Sequence, residues 1–159
     1  MLGMMGLLML RMGKAWVTHG NDMTKPVVLI VEDEALIRMS AIHIVEDAGF
    51  AVAEAGNADE AIRILKSRDD IRAVFTDINM AGSMDGWKLA HAIRGGWPPI
   101  HLIVTSGLCV PSAYQLPARS RFIGKPYTAA QVTAALHELF GSTPGPLTND
   151  NDQNYGKVA

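Results

Sequence analysis

The chain has one cysteine, Cys109. That excludes an internal disulfide framework and any zinc site built on paired cysteines, and it fits a reducing compartment. Neither charge is in excess: fourteen Lys and Arg face sixteen Asp and Glu, a net charge of -2. A dedicated nucleic-acid binder carries a basic face or tail, so no nucleic-acid partner is expected. No apolar run is long enough to cross a bilayer. The most apolar stretch, MLGMMGLLML at the N-terminus, is half of the roughly 20 residues required. Its basic neighbours Arg11 and Lys14 follow it, whereas a secretory signal has them in front. Neither a membrane partner nor export is expected, which leaves the cytoplasm.

What is present is a globular composition, 48% hydrophobic and 19% charged. At about 150 residues per domain, 159 residues make one domain with tails. Such a domain can bury roughly two thirds of its unfolded surface. Residues 1–25 read as a disordered extension, or as the product of an upstream start codon with Met23 as the true start. Residues 141–159 (GSTPGPLTNDNDQNYGKVA) lack periodic apolar positions and read as a disordered tail. The domain is then 26–140, with no output domain expected beyond it.

Strands and helices alternate along that stretch. VVLIV at 27–31 is a continuous apolar run, the pattern of a strand buried on both faces. A helix follows over 35–48, with Ile37, Ala41, Ile44, Val45 and Ala48 on one stripe and Gly49 as its stop. A short strand is expected at 51–55, then a helix to about Lys66 capped by Asn57, with Ala58, Ala61, Ile62 and Leu65 inward. RAVFT at 72–76 reads as a third strand ending at Asp77, followed by a helix over 86–94. Strands four and five fall at 100–104 and 121–123, and Thr128 caps the last helix. A further helix is expected within 107–118, held to two or three turns by Pro111 and Pro117. The alternation predicts an α/β, doubly wound, five-stranded parallel sheet of order 2-1-3-4-5, flavodoxin-like, with function in the crevice beyond the strands' carboxyl ends.

The unusual polar residues fall at that edge. Strand one runs into Glu32, Asp33 and Glu34, strand three into Asp77, strand four into Thr105 and Ser106, and strand five, through Gly124, into Lys125. Each admits an ordinary reading: a helix-capping acidic cluster, a turn aspartate, a capping pair of hydroxyls, a solvated loop lysine. None of these accounts for the conjunction.

The segments VLIVEDE (28–34), FTDINM (75–80), MDGWKLA (84–90), VTSG (104–107) and FIGKPY (122–127) resemble, in order and spacing, the receiver domain of bacterial two-component response regulators, over about 26–140. The resemblance implies a stand-alone receiver that takes a phosphoryl group from a phosphohistidine onto Asp77. It also implies an acidic pocket of Glu32 and Asp33, Thr105 as the switch hydroxyl, Lys125 as the family's lysine and Phe122 as the switch aromatic. The implied partners are a sensor histidine kinase or phosphotransfer protein, a downstream protein target and a weak homodimer. Such a protein is no enzyme beyond catalysing its own phosphorylation and dephosphorylation.

Three neighbouring carboxylates repel one another unless a cation is present. Mg²⁺ suits them, taking oxygen ligands and keeping some waters. Asp33 and Asp77 are expected to bind it directly, the main-chain carbonyl of Asn79 adds a third ligand, and Glu32 reaches it through water.

Three departures from the family pattern stand out. Phe122 lacks the hydroxyl of the tyrosine that many relatives carry there. Ala81, Gly82 and Ser83 make a longer loop where the family has a proline and one residue fewer. The short fourth helix weakens the dimer surface many relatives use. The histidines 19, 43, 91, 101 and 137 show no ligand spacing, and Trp87, Trp97 and Cys109 have no expected role in the chemistry. Two other functions compete: a phosphate-independent interaction module, and an aspartate-nucleophile phosphohydrolase. Against the second, Asp77 follows strand three, whereas those enzymes carry DxD after strand one.

Overall fold

In a computed structural model, residues 25–141 are described, apart from 83, 109, 113 and 114. The expected tails, except for Lys25 and Gly141, lie outside the described residues, as do Ser83 and Cys109. The VVLIV run forms β1 (Val27–Val31), buried along its whole length. It lies inside a five-stranded parallel sheet with β2 (Ala51–Ala55), β3 (Ile71–Asp77), β4 (His101–Ser106) and β5 (Ser120–Gly124), in the order β2-β1-β3-β4-β5.

Strand residues alternate between two faces. Val27, Leu29 and Val31 pack with Val74, Leu102 and Val104 against α2 (Ala58–Ser67) and α3 (Gly86–Gly96), through Ala61, Leu65, Leu89 and Ile93. Val28 and Ile30 pack with Phe75 and Ile103 against α1 (Ala35–Asp47) and α4 (Ala129–Leu139), through Ala41, Val45, Val132 and Leu136. Both faces of the sheet are therefore covered, as a parallel sheet requires.

Local signals set the helix ends. The Asn57 side chain accepts from the Glu60 N–H, Asp85 from the Lys88 N–H, and Thr128 closes a capping box with Gln131. Gly49 follows α1 at φ +96°, a conformation that other residues adopt only with strain.

Two expectations need correction. Among the described residues of 107–118 there is no helix. Pro111 and Pro117 remove two amide donors and bias residues 110 and 116 away from helical backbone. Between the prolines, the Gln115 N–H donates to the Ser112 carbonyl and the Gln115 side-chain oxygen accepts from the Ser112 N–H. The molecule thus has four helices among its described residues, and none is long and apolar enough to cross a membrane. Second, β4 runs to Ser106. Thr105 and Ser106 are strand residues in register with Ile123 and Gly124 of β5, and Asp77 lies opposite Thr105.

Candidate functional site

β1, β3 and β5 end at one edge of the sheet around a single buried charge cluster, with β4 between the last two. The Glu32 N–H donates to the Ala55 carbonyl, prolonging the β1–β2 ladder by one residue and fixing where the side chain emerges. The Lys125 N–H donates to the Ser106 carbonyl and prolongs β5 in the same way, just before a cis peptide to Pro126. From there Lys125 Nζ reaches Asp77 Oδ2 at 2.7 Å and Glu32 Oε2 at 2.9 Å. Both carboxylates are buried, and the lysine side chain is 18% exposed.

The remaining carboxylate oxygens are also occupied. Asp77 Oδ1 accepts from the Asn79 N–H at 3.0 Å, and Glu32 Oε1 from the Glu34 N–H at 3.2 Å. Asp33, more exposed, accepts from the Ala81 N–H at 3.1 Å and so tethers the loop after β3. This geometry bears on the ordinary readings. Glu34 sits at the N-cap of α1 without a side-chain cap bond. The Thr105 and Ser106 hydroxyls are buried in a strand, and Lys125 is not a solvated lysine.

Burial pushes the Glu32 carboxyl above its ordinary value; the Lys125 and Glu34 hydrogen bonds oppose this, and the Asp77 charge adds to it. For Lys125, burial works against the ammonium, but its bonds to Asp77 and Glu32 outweigh it and hold the group above the usual lysine range. Burial also raises Asp33, yet the Ala81 N–H and other donors overcome it, and its carboxyl lies below the usual range. Two buried carboxylates share one ammonium, so the cluster is short of positive charge.

The family model of the response regulator receiver domain matches residues 28–137. The chain belongs to that family. It is 32% identical over 116 residues to the sensor kinase CckA of Brucella abortus, a match covering 70% of this chain and 12% of that protein. It is 38% identical over 81 residues to a putative response regulator NtrX-like protein of Rickettsia bellii, covering 50% of this chain and 17% of the relative. The chain therefore spans a small part of the curated relatives it matches. Among solved structures, a response regulator receiver protein from Sinorhizobium medicae aligns at a TM-score of 0.67 and 29% identity, over 76% of this chain and 98% of that one.

Thr105, Phe122 and Asn79 are the other residues that the resemblance singles out. Thr105 Oγ1 donates to the Thr76 carbonyl at 3.4 Å, along the sheet rather than toward the Asp77 carboxylate. Phe122 is half-buried and packs on the α2–α3 side of the sheet. Asn79 is exposed, with its side-chain amide donating to Ser106 Oγ at 3.0 Å. Among the described residues, no three His, Cys, Asp or Glu side chains are drawn together as a metal-holding group. Lys125 stands between Glu32 and Asp77 instead. The donor chemistry nonetheless suits Mg²⁺: the surrounding groups offer carboxylate and main-chain oxygens, and the buried acids outnumber the ammonium.

Three contributors were not foreseen. Arg38 reaches back from α1 to the Glu32 carbonyl at 2.8 Å while pairing with Glu54 at 3.0 Å. A Cβ on Gly86 would lie 2.0 Å from the Asp77 carbonyl oxygen, so only glycine lets α3 start so close to the end of β3. Ser106, noted only as an edge residue, bonds to Asn79. The Asp-Gly pair at 85–86 was a readable signal for a tight approach. Arg38 left no signal, because its partner is a main-chain carbonyl.

Proposed function

We propose that this receiver is a phosphoacceptor whose Asp77 takes a phosphoryl group from a phosphohistidine on a sensor histidine kinase or phosphotransfer protein. The supporting observation is the Lys125 ammonium, in contact with both Asp77 and Glu32 where three strands end. Phosphoryl transfer needs alignment and charge stabilisation more than covalent help from the protein. An Asp77 carboxylate oxygen attacks phosphorus and a C–O–P linkage forms. The P–N bond breaks and its electron pair returns to the ring nitrogen; the donor histidine, already protonated on its other ring nitrogen, leaves as neutral imidazole. The Asn79 N–H fixes the carboxylate's rotation. The Lys125 ammonium is placed to face the charge of the transferred group, with Glu32 holding its other side.

Mg²⁺, held by Asp33, Asp77 and the Asn79 main-chain carbonyl, with Glu32 acting through water, would offset the remaining negative charge. The Thr105 hydroxyl, whose present bond is long, is the donor that can turn to a phosphoryl oxygen. Phe122 is then the side chain that fills the space it leaves. In this reading the output is a protein contact made by the face of β4, β5 and α4, and a weak homodimer on that side is open to sedimentation. The receiver spans 26–140, works in the cytoplasm, and catalyses only its own phosphorylation and dephosphorylation.

Incubation with acetyl phosphate and Mg²⁺ is expected to add one phosphoryl group to the wild type and none to Asp77→Asn. Equal labelling of both would overturn the assignment. No labelling of the wild type, together with no fluorescence change of Trp87 or Trp97 on beryllofluoride titration, would leave a phosphate-independent interaction module.

A further inference from the structure

The Ser106 hydroxyl links the loop after β3 to the stretch after β4. It accepts from Asn79 Nδ2 at 3.0 Å on the β3 side and from the Leu108 N–H at 3.2 Å on its own side. Ser106 is 3% exposed, whereas Asn79 and Leu108 are exposed, so the hydroxyl is the buried member of the junction. Asn79 is also the residue whose N–H holds Asp77 Oδ1. A continuous chain of contacts therefore runs from the Asp77 carboxylate through Asn79 and the Ser106 hydroxyl to the backbone of Leu108. Leu108 lies just after β4, where the described residues form no helix and Leu108 and Val110 leave large apolar side chains 85% and 82% exposed.

We infer that Ser106 is a positioning residue that carries the state of Asp77 to the backbone of Leu108, by a route separate from Thr105 and Phe122. The inference rests on Asp77 being the phosphoacceptor. A phosphoryl group on Asp77 Oδ1 or Oδ2 changes what the Asn79 N–H can bond to. Any turn of Asn79 that follows pulls on, or releases, its side-chain amide at Ser106. The same hydroxyl restrains the Leu108 N–H, so the two amides move together only while Oγ is present. Thr105 takes no part in this chain, because its hydroxyl bonds to the Thr76 carbonyl.

The test is ¹⁵N NMR of the full chain during titration with beryllofluoride and Mg²⁺. In the wild type, the Asn79 and Leu108 amides are expected to shift with one midpoint. In Ser106→Ala, Asn79 is expected to respond as before while the Leu108 shift falls at least about twofold. Asn79→Ala is expected to reduce the Leu108 shift similarly, and the double variant to add little, as for two residues in one network. Unchanged β1 and β2 amides would show that the variants are folded. An undiminished Leu108 response in Ser106→Ala, or full additivity of the two substitutions, would overturn the inference. Failure of the Asp77 assignment is distinguishable: the wild-type Asn79 amide itself would then not respond.

Discussion

The two ends of the sheet use polar residues in opposite ways. At the carboxyl ends, Glu32, Asp77, Thr105 and Ser106 are buried, and their partners come from other strands and loops. At the amino ends lies a cleft of about 580 Å³ lined by Leu65, Arg68, Ile71, Trp97, Pro98 and Ile100. There the charged groups bond to near neighbours: Arg68 pairs with Asp70, and Arg72 donates to the Asp69 and Ile71 carbonyls. Both partners of the Arg68–Asp70 pair are about half exposed. This cleft lies at the opposite end of the strands from the Lys125 cluster. What distinguishes the carboxyl ends is the convergence of buried charge from distant segments.

The largest expected contrast lies within α3, which spans the two ends. Gly86→Ala would drive a methyl group into the Asp77 carbonyl and the Ile78 Cα, at 2.0 and 2.6 Å. The substitution is expected to destabilise the fold by roughly 3 kcal/mol, the upper range for overpacking. Gly95→Ala, with nothing within 4 Å, is expected to stabilise it by about 0.5–1 kcal/mol through helix propensity. Urea unfolding measures both, and a similar effect at the two positions would break the contrast.

Next comes the ion-pair comparison. Lys125→Ala strands two buried carboxylates, and breaking such a pair costs about 3 kcal/mol. Arg68→Ala removes an exposed pair and is expected to cost less than about 0.5 kcal/mol. Equal denaturation midpoints for the two variants would count against a buried charge cluster.

A smaller effect belongs to His101, the first residue of β4. Its ring packs on Phe140 at 5.2 Å, and its Nδ1 is buried without a hydrogen-bond partner among the described residues. Burial first, then the charges of Arg119 and Arg94, hold the imidazole below its ordinary value of 6.5. The unfolded chain therefore takes up this proton before the folded one does. Stability is expected to fall as pH drops through the ordinary histidine range, and to level off once the folded imidazole is also protonated. His101→Gln should flatten that slope, measured as the denaturation midpoint against pH. An unchanged slope would assign the acid sensitivity to other groups.

Much of this arrangement was legible in the sequence because its causes are local or periodic. The unbroken VVLIV run marks a central parallel strand, Asn57 and Thr128 mark helix starts through their own side chains, and Gly49 marks a stop. Asp77, Glu32 and Lys125 stood out because each follows a strand in a topology that gathers such ends. The region after β4 was harder to read. Thr105 and Ser106 carry loop-like hydroxyls, and their register with β3 and β5 makes them strand. The expected helix within 107–118 followed from the alternation of elements, which two prolines override locally. Arg38 meets a main-chain carbonyl and Ser106 a side-chain amide 27 positions away, relations that the fold creates and residue identity does not encode.

The most direct measurement is chemical trapping of the phosphorylated residue. Full-length protein treated with acetyl phosphate and Mg²⁺ is reduced with borohydride, which converts an aspartyl phosphate to homoserine, and is then digested and sequenced by mass spectrometry. The account predicts homoserine at position 77, absent from untreated protein. Homoserine at another aspartate, or a borohydride-resistant phosphate on a serine, threonine or histidine, would contradict it.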